Sequence, residues 1–410
     1  MNVLWAAIAA ISLIIWIYLL LARGGFWLAR ERDDRDGFDG LDSRPGSNPA
    51  ALGAGGVSAE WPDVTAVIPA RNEAESIAQT VECLLRQDYP GRLRVVVIDD
   101  QSDDGTAACA RAAAEKIDEG VDAGARLDVL SGTPVPAGWT GKLWAVSRGI
   151  AHACRDRGAA ESPPEFLLLT DADIAHAPDN VRMLVMRARN DNRVLVSLMA
   201  KLRNDALFER ALIPAFVLFF QMLYPFSQVN RRDHRLAAAA GGCMLVRRDA
   251  LEAAGGIEPI RAEIIDDCAL GRQMKTQGAI WLGLTERAVS VRPYDNLGEI
   301  RKMVARTAYA QLQYSPLLLA GTLLSLLLTF IAPPLLALFA HGAACAMGAL
   351  AWLAMTLAYQ PMLRFYRQSA WWGPLLPGVA ALYAAFTFDS ALQHWRGRGG
   401  MWKGRAQARR

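Results

Sequence analysis

Residues 167–174 read LLLTDADI, an apolar run that ends in two aspartates flanking one alanine. If the run is a strand, Asp171 and Asp173 are two residues apart in an extended segment and point to the same side. Two hard oxygen donors at one strand end suit Mg2+ or Mn2+, which completes its shell with water and phosphate oxygens. Asp173 is then the metal ligand, and Asp171 holds a ribose hydroxyl or a metal-bound water. Lys142, in the stretch Gly138-Trp-Thr-Gly-Lys142, brings positive charge to a diphosphate that one lysine alone leaves under-neutralised. A second acidic pair, Asp266-Asp267, stands just before a helical stretch, Cys268–Lys275. One acid there would serve as a helix cap. Two exceed what a cap requires, and a general base for a hydroxyl acceptor needs a carboxylate near the diphosphate.

The elements that must position these groups follow from the hydrophobic pattern. Short β-rich runs at Asp63–Pro69, Leu93–Ile98, Leu127–Leu130 and Phe166–Leu169 alternate with helical spacing over Glu75–Leu85, Ala107–Ile117 and Leu143–Ala153. Near-continuous apolar strands separated by helices predict an α/β fold with a mostly parallel, Rossmann-like sheet covered on both faces. Ligands of such sheets bind at the C-terminal strand ends. Four polar motifs fall there: Pro69-Ala-Arg-Asn-Glu73, Asp99-Asp-Gln-Ser-Asp-Asp-Gly105, the Lys142 stretch and Asp171-Ala-Asp173. The chain has neither G-x-x-x-x-G-K-[ST] nor a G-x-G-x-x-G after the first strand, so ATPase and dinucleotide readings lose their main support.

Hydrophobic residues make up 52% of the 410, and the excess lies in long blocks. A formal net charge of +3 is too small to argue for nucleic acid. The six cysteines are scattered without metal or disulfide spacing and read as small apolar residues. Val3–Ala22 has the length of one bilayer crossing, no basic residue precedes it, and Arg23, Arg30, Arg32 and Arg35 follow. This predicts an uncleaved N-terminal anchor over 1–24, with the domain after it in the cytoplasm. Residues 25–61 read as a flexible linker, and 62–310 as the α/β domain.

Apolar blocks at Leu317–Ala340, Ala343–Leu363 and Pro374–Leu392 place transmembrane helices within 311–395, with a break expected at Pro333-Pro334. The basic tail 396–410 argues for the cytoplasm, yet three crossings would leave it outside. One block is therefore re-entrant or interfacial, or the Pro-Pro break turns the chain back. The stretch 207–226 is read as a membrane-interfacial helix, because a crossing there would separate the two acidic pairs. These features predict a multi-pass protein of the inner (cytoplasmic) membrane.

VIPARNEAESI (67–77), VVVIDDQSDDGT (95–106), GWTGKLWAVSRGI (138–150), LLLTDADI, GGCMLVRRDALEAAGG (241–256) and IIDDCALGRQM (264–274) together resemble family 2 glycosyltransferases of the GT-A fold. The membrane layout is similar to ceramide glucosyltransferase-like members, and GWTGKLWA and EIIDDCALG resemble bacterial hopene-associated glycosyltransferases. The resemblance implies an inverting transfer from a UDP-type nucleotide-sugar to a membrane lipid acceptor, with a place in hopanoid metabolism. It implies that Asp100 contacts the base and that Ala70, Arg71 and Glu73 line the nucleotide pocket. Lys142 would face the diphosphate, and Asp171 and Asp173 would be the D-x-D pair. Asp267 would be the catalytic base, with Asp266 in place of the usual Glu. Many membrane-bound relatives carry Q-x-x-R-W; here the region reads Lys302-Met-Val-Ala-Arg-Thr307, and only Arg306 remains, facing the leaving diphosphate. Transfer to polyprenyl phosphate and a non-catalytic partner role on the same fold are the competing readings.

Overall fold

The computed structural model describes residues 2–34, 60–117, 126–155, 162–397, 401–402 and 405–406. Most of the expected linker, 35–59, and most of the basic tail (Arg398, Lys403, Arg409 and Arg410 included) lie outside the described residues. The chain forms two compact units. An α/β unit is built from Arg30–Leu202 and Val229–Arg292; an apolar unit contains Met1–Ala29, Arg203–Gln228 and Pro293–Met401. The α/β domain is therefore not the single stretch 62–310: residues 203–228 leave it, and it closes at Arg292.

Eight strands form one sheet: β1 (Val64–Ala70), β2 (Leu93–Asp99), β3 (Leu127–Ser131), β4 (Phe166–Thr170), β5 (Ile174–His176), β6 (Arg193–Lys201), β7 (Cys243–Arg247) and β8 (Ala279–Ser290). Their order is β3-β2-β1-β4-β7-β6-β8-β5. The first four run parallel, β7 is antiparallel to both its neighbours, and β5 closes the edge antiparallel to β8. β1 and β4 are buried at every position, as central strands covered on both faces must be. The helix Gly141–Ala153 lies on β1 and β2, and Gly149 is the contact point. A Cβ there would fall 2.4 Å from Val67 Cγ1.

Two local expectations are corrected. The D-A-D segment is not extended: β4 stops at Thr170, and residues 171–173 form a tight turn into β5. Ala172 is the reason, since its methyl is buried and its carbonyl accepts the Thr80 hydroxyl at 2.9 Å. Nor does flexible chain begin at 25. Phe26–Leu28 form a 3-10 turn with Phe26 buried, and Asp33 bonds to Thr285 and pairs with Arg287 at 3.4 Å. Backbone bonds from Asp33 to Leu284 and from Leu284 to Glu31 dock this segment along β8. Burial pushes the Asp33 carboxyl above its ordinary range, with Thr285 and Arg287 acting against that rise.

Among the described residues, four helices, all in the apolar unit, are long and apolar enough to cross a membrane: Val3–Leu21, Pro316–Phe339, Ala343–Phe365 and Trp372–Trp395. The expected break at Pro333-Pro334 takes the form of a π-turn over Leu327–Ile331. Pro333 has no N–H to give the Thr329 carbonyl one helical turn back. The Trp16 indole donates to that carbonyl instead, at 2.7 Å, and Ser12 donates to Leu328 at 2.8 Å. The stretch read as interfacial is a helix over Leu207–Leu223. All of the large hydrophobic side chains exposed among the described residues belong to this unit, from Val3 to Trp395. Large apolar side chains exposed in such number are a feature of surfaces that meet a membrane or another protein. All six cysteines are free thiols.

Candidate active site

The first two motif loops fasten to one another. Asn72 N–H donates to Ser102 Oγ (3.0 Å), Asp103 N–H to Asn72 Oδ1 (3.1 Å), Glu73 N–H to Thr106 Oγ1 (2.9 Å) and Ala74 N–H to Asp104 Oδ2 (2.9 Å). Asn72 and Gln101 adopt left-handed backbone (φ 51° and 56°), which turns both chains sharply as they leave the sheet. The Arg71 guanidinium donates to the Asp100 and Gln101 carbonyls, so it braces the loop. Asp100 is buried, and its N–H donates to the Ala70 carbonyl at 2.8 Å. Gly132 passes so close that a Cβ there would lie 2.9 Å from Asp100 Cα. Ala70, Arg71, Glu73 and Asp100 thus sit on one rigid ledge at the ends of β1 and β2.

Lys142 stands in the first turn of its helix, whose cap Thr140 accepts from Leu143 N–H at 3.3 Å. A helix N-terminus disfavours a cation and favours an anion. Acids nevertheless hold the lysine: its Nζ is 2.9 Å from Asp171 Oδ1 and 3.1 Å from Asp266 Oδ2. Burial works against the ammonium, but Asp171, Asp266 and Asp267 outweigh it and keep Lys142 charged well above its ordinary range. The two acidic pairs, far apart in sequence, therefore meet through one side chain.

Asp266 and Asp267 open the helix Asp266–Gln277 and do not cap it: the cap position is Ile265, with no side-chain bond. Asp267 accepts from Gly241 N–H (3.0 Å) and from Cys268 N–H (2.7 Å). Burial, then the neighbouring Asp266, push its carboxyl up to about 6 against the pull of Lys142. Asp173 is likewise pushed up to about 6, by burial first and then by Asp171 and Glu73, with Arg292 acting in the opposite sense. A small recess lies beside the Lys142–Asp266 pair, with Leu143, Val146, Met244 and Ile260 among its walls.

Residues 65–255 match the family described as Glycosyl transferase family 2. The chain carries a family 2 glycosyltransferase domain. A 4,4'-diaponeurosporenoate glycosyltransferase from Staphylococcus aureus (strain USA300) is 32% identical over 109 residues, 27% of this chain; the match spans about a quarter (26%) of that relative's length. Among solved structures, a mannosyltransferase from Pyrobaculum calidifontis in complex with GDP-Man and Mn2+ superposes with a TM-score of 0.52 at 19% identity, covering 96% of this chain and 99% of that one. At that identity the likeness shows the fold, a GT-A sheet with apolar helices.

Carboxylate oxygens are the hard donors that a divalent cation takes. Glu73, Asp171, Asp173, Asp266 and Asp267 are five acids, set against Lys142 and Arg292. Among the described residues no three metal-ligating side chains converge, so a cation held at Asp173 would keep most of its shell for water and phosphate. The sequence alone did not point to Arg292 or to the Gly241 N–H, because both act on acids remote in the chain. Arg306 falls on the helix Leu297–Gln311, in the apolar unit, and is exposed.

Proposed function

We propose that the protein transfers a sugar from a UDP-type nucleotide-sugar to a membrane lipid, with inversion at the anomeric carbon. The observation that carries the reading is Lys142 bridging Asp171 and Asp266, which sets donor-end and acceptor-end acids a few ångströms apart. In this reading Asp100 and the ledge around it take the base and ribose. Lys142, at a helix N-terminus, moves from its carboxylates onto the diphosphate. Mg2+ or Mn2+ held by Asp173 and Asp171 would supply further charge neutralisation of the leaving group. Asp267 accepts the acceptor's hydroxyl proton as its oxygen forms the new glycosidic bond and the nucleoside diphosphate departs. Such a base is worth about 10²–10⁴-fold in rate. Arg306 is proposed to meet the leaving diphosphate.

The apolar unit, the apolar walls of the recess and the carotenoid-derived acceptor named for the relative all favour an amphiphilic lipid acceptor. The arginines after the first helix favour an inner-membrane protein with its catalytic unit in the cytoplasm. A hopanoid acceptor is the specific proposal. The test incubates membranes holding the protein with labelled nucleotide-sugars and Mn2+, then identifies the labelled lipid. Asp173→Ala and Asp267→Asn should each abolish labelling while the protein still inserts, and full activity in either would overturn the assignment. If Asp267→Asn alone is tolerated, the acceptor is already an anion, as in a polyprenyl phosphate.

A further inference from the structure

His176 is buried at 4% exposure, is the last residue of β5, and has no part in the chemistry above. Its ring reaches back across the D-A-D turn. Nε2 lies 3.0 Å from Thr170 Oγ1, and Nδ1 lies 2.8 Å from Asn180 Nδ2. The Thr170 hydroxyl is 2.8 Å from the Gly242 carbonyl, which can only accept, so Thr170 gives its proton there. It must then accept from His176. The proton of the ring is on Nε2, and Nδ1 accepts from the Asn180 amide. Burial pushes the imidazole down to about 4, which favours the neutral ring that this bonding pattern requires.

The consequence lies in what the chain of bonds joins. Thr170 immediately precedes Asp171, and His176 follows Asp173 by three residues, so the ring closes the turn that bears the D-x-D pair. The far end of the relay is the Gly242 carbonyl. The neighbouring Gly241 N–H donates to Asp267 Oδ2 at 3.0 Å. One sequence of bonds, Asn180 to His176 to Thr170 to Gly242, therefore runs from the helix Asn180–Asn190 past the D-x-D turn to the residue after Gly241, whose N–H donates to Asp267. We infer that His176 is a positioning residue that fixes, through Thr170, the D-x-D turn relative to the Gly241-Gly242 segment holding the base. The inference rests on the roles proposed above for Asp173 and Asp267.

The experiment uses the full-length protein in detergent and reads kcat, donor KM, and the Mn2+ concentration for half activity. Removing a partner that orients a metal ligand usually lowers metal affinity or activity about 10–100-fold. His176→Leu should lower kcat on that scale and raise the Mn2+ requirement. Thr170→Val should do the same while leaving the ring and its bond to Asn180 in place. His176→Gln keeps a donor near the Nε2 position, and Thr170→Ser keeps the hydroxyl; both should recover most of the rate. The double variant His176→Leu/Thr170→Val should lose less than the sum of the two single losses, because both single variants already break the shared His176–Thr170 bond.

A wild-type kcat and Mn2+ response in Thr170→Val, or fully additive losses in the double variant, would overturn the inference. If His176→Leu fails to fold, the Thr170 pair decides. Asp173→Ala and Asp267→Asn run alongside as controls. Loss of activity in these with a normal Thr170→Val sinks only the relay, whereas retained activity in these sinks the functional reading itself.

Discussion

Each unit holds a carboxylate inside the protein, and the two are handled in opposite ways. Glu209, in the apolar unit, is 1% exposed, and three backbone N–H groups saturate it: Tyr294 at 2.7 Å on Oε1, with Asp205 at 2.8 Å and Ala206 at 2.9 Å on Oε2. Asp267, in the α/β unit, receives two such bonds and has Asp266 beside it and Lys142 within Coulombic reach. Fixed dipoles around Glu209 make it a clamp that ties the start of one helix to the segment at Tyr294. Like charge and burial around Asp267 leave it close to a proton-transfer threshold. The immediate environment, more than the residue type, separates the clamping acid from the one proposed as the base. The units differ in the same sense on the outside, since exposed large hydrophobic side chains fall in the apolar unit alone among the described residues.

The sharpest way to break this comparison is to exchange the consequences. Asp267→Asn should cost about 10²–10⁴-fold in kcat with little change in thermal unfolding. Glu209→Leu should strand three backbone donors, each worth roughly 1–3 kcal/mol, and so lower the unfolding temperature sharply. The activity per folded molecule should survive. A kinetic defect at Glu209 and a purely thermal one at Asp267 would reverse the assignment.

A smaller effect should appear in the pH profile. A base held up to about 6 is protonated below that value, so the rate should climb as pH rises through about 6 and level off above it. Asp266→Asn removes a negative neighbour, which favours the ionised form of Asp267; the acidic limb should move to lower pH. An unmoved limb would mean that the Asp266 charge does not set it. The smallest effect belongs to Trp16→Phe, which leaves the Thr329 carbonyl without its donor and should cost about 1–3 kcal/mol in unfolding assays.

Much of the fold was legible because its signals are local. β1, β2 and β4 are unbroken apolar runs, and each delivers a polar motif at its C-terminal end, where such sheets bind ligands. The four membrane-length helices were legible from composition. What escaped depends on residues distant in the chain. The D-A-D turn is bent by Thr80 bonding Ala172, over ninety positions away. Asp33 looked like linker because its partners, Thr285 and Arg287, come at the far end of the sheet. Lys142 was foreseen for phosphate, but not as the bridge between the acidic pairs; His176 gave no motif, and Thr170, inside LLLTDADI, gave no sign of its bond to the ring.

The way the chain alternates between its units also bears on biosynthesis. After the Asn2–Leu21 helix, a ribosome releases β1 to β6, then the Leu207–Leu223 helix, and only afterwards β7, the Asp266–Gln277 helix and β8. Gly241, Gly242 and Asp267 thus emerge after the nascent chain has already offered an apolar segment to the bilayer. The half-sheet made earlier exposes the edge of β4 until β7 arrives to pair with it. The proposed base and the glycine segment that holds it are therefore made late in synthesis, after two of the apolar helices.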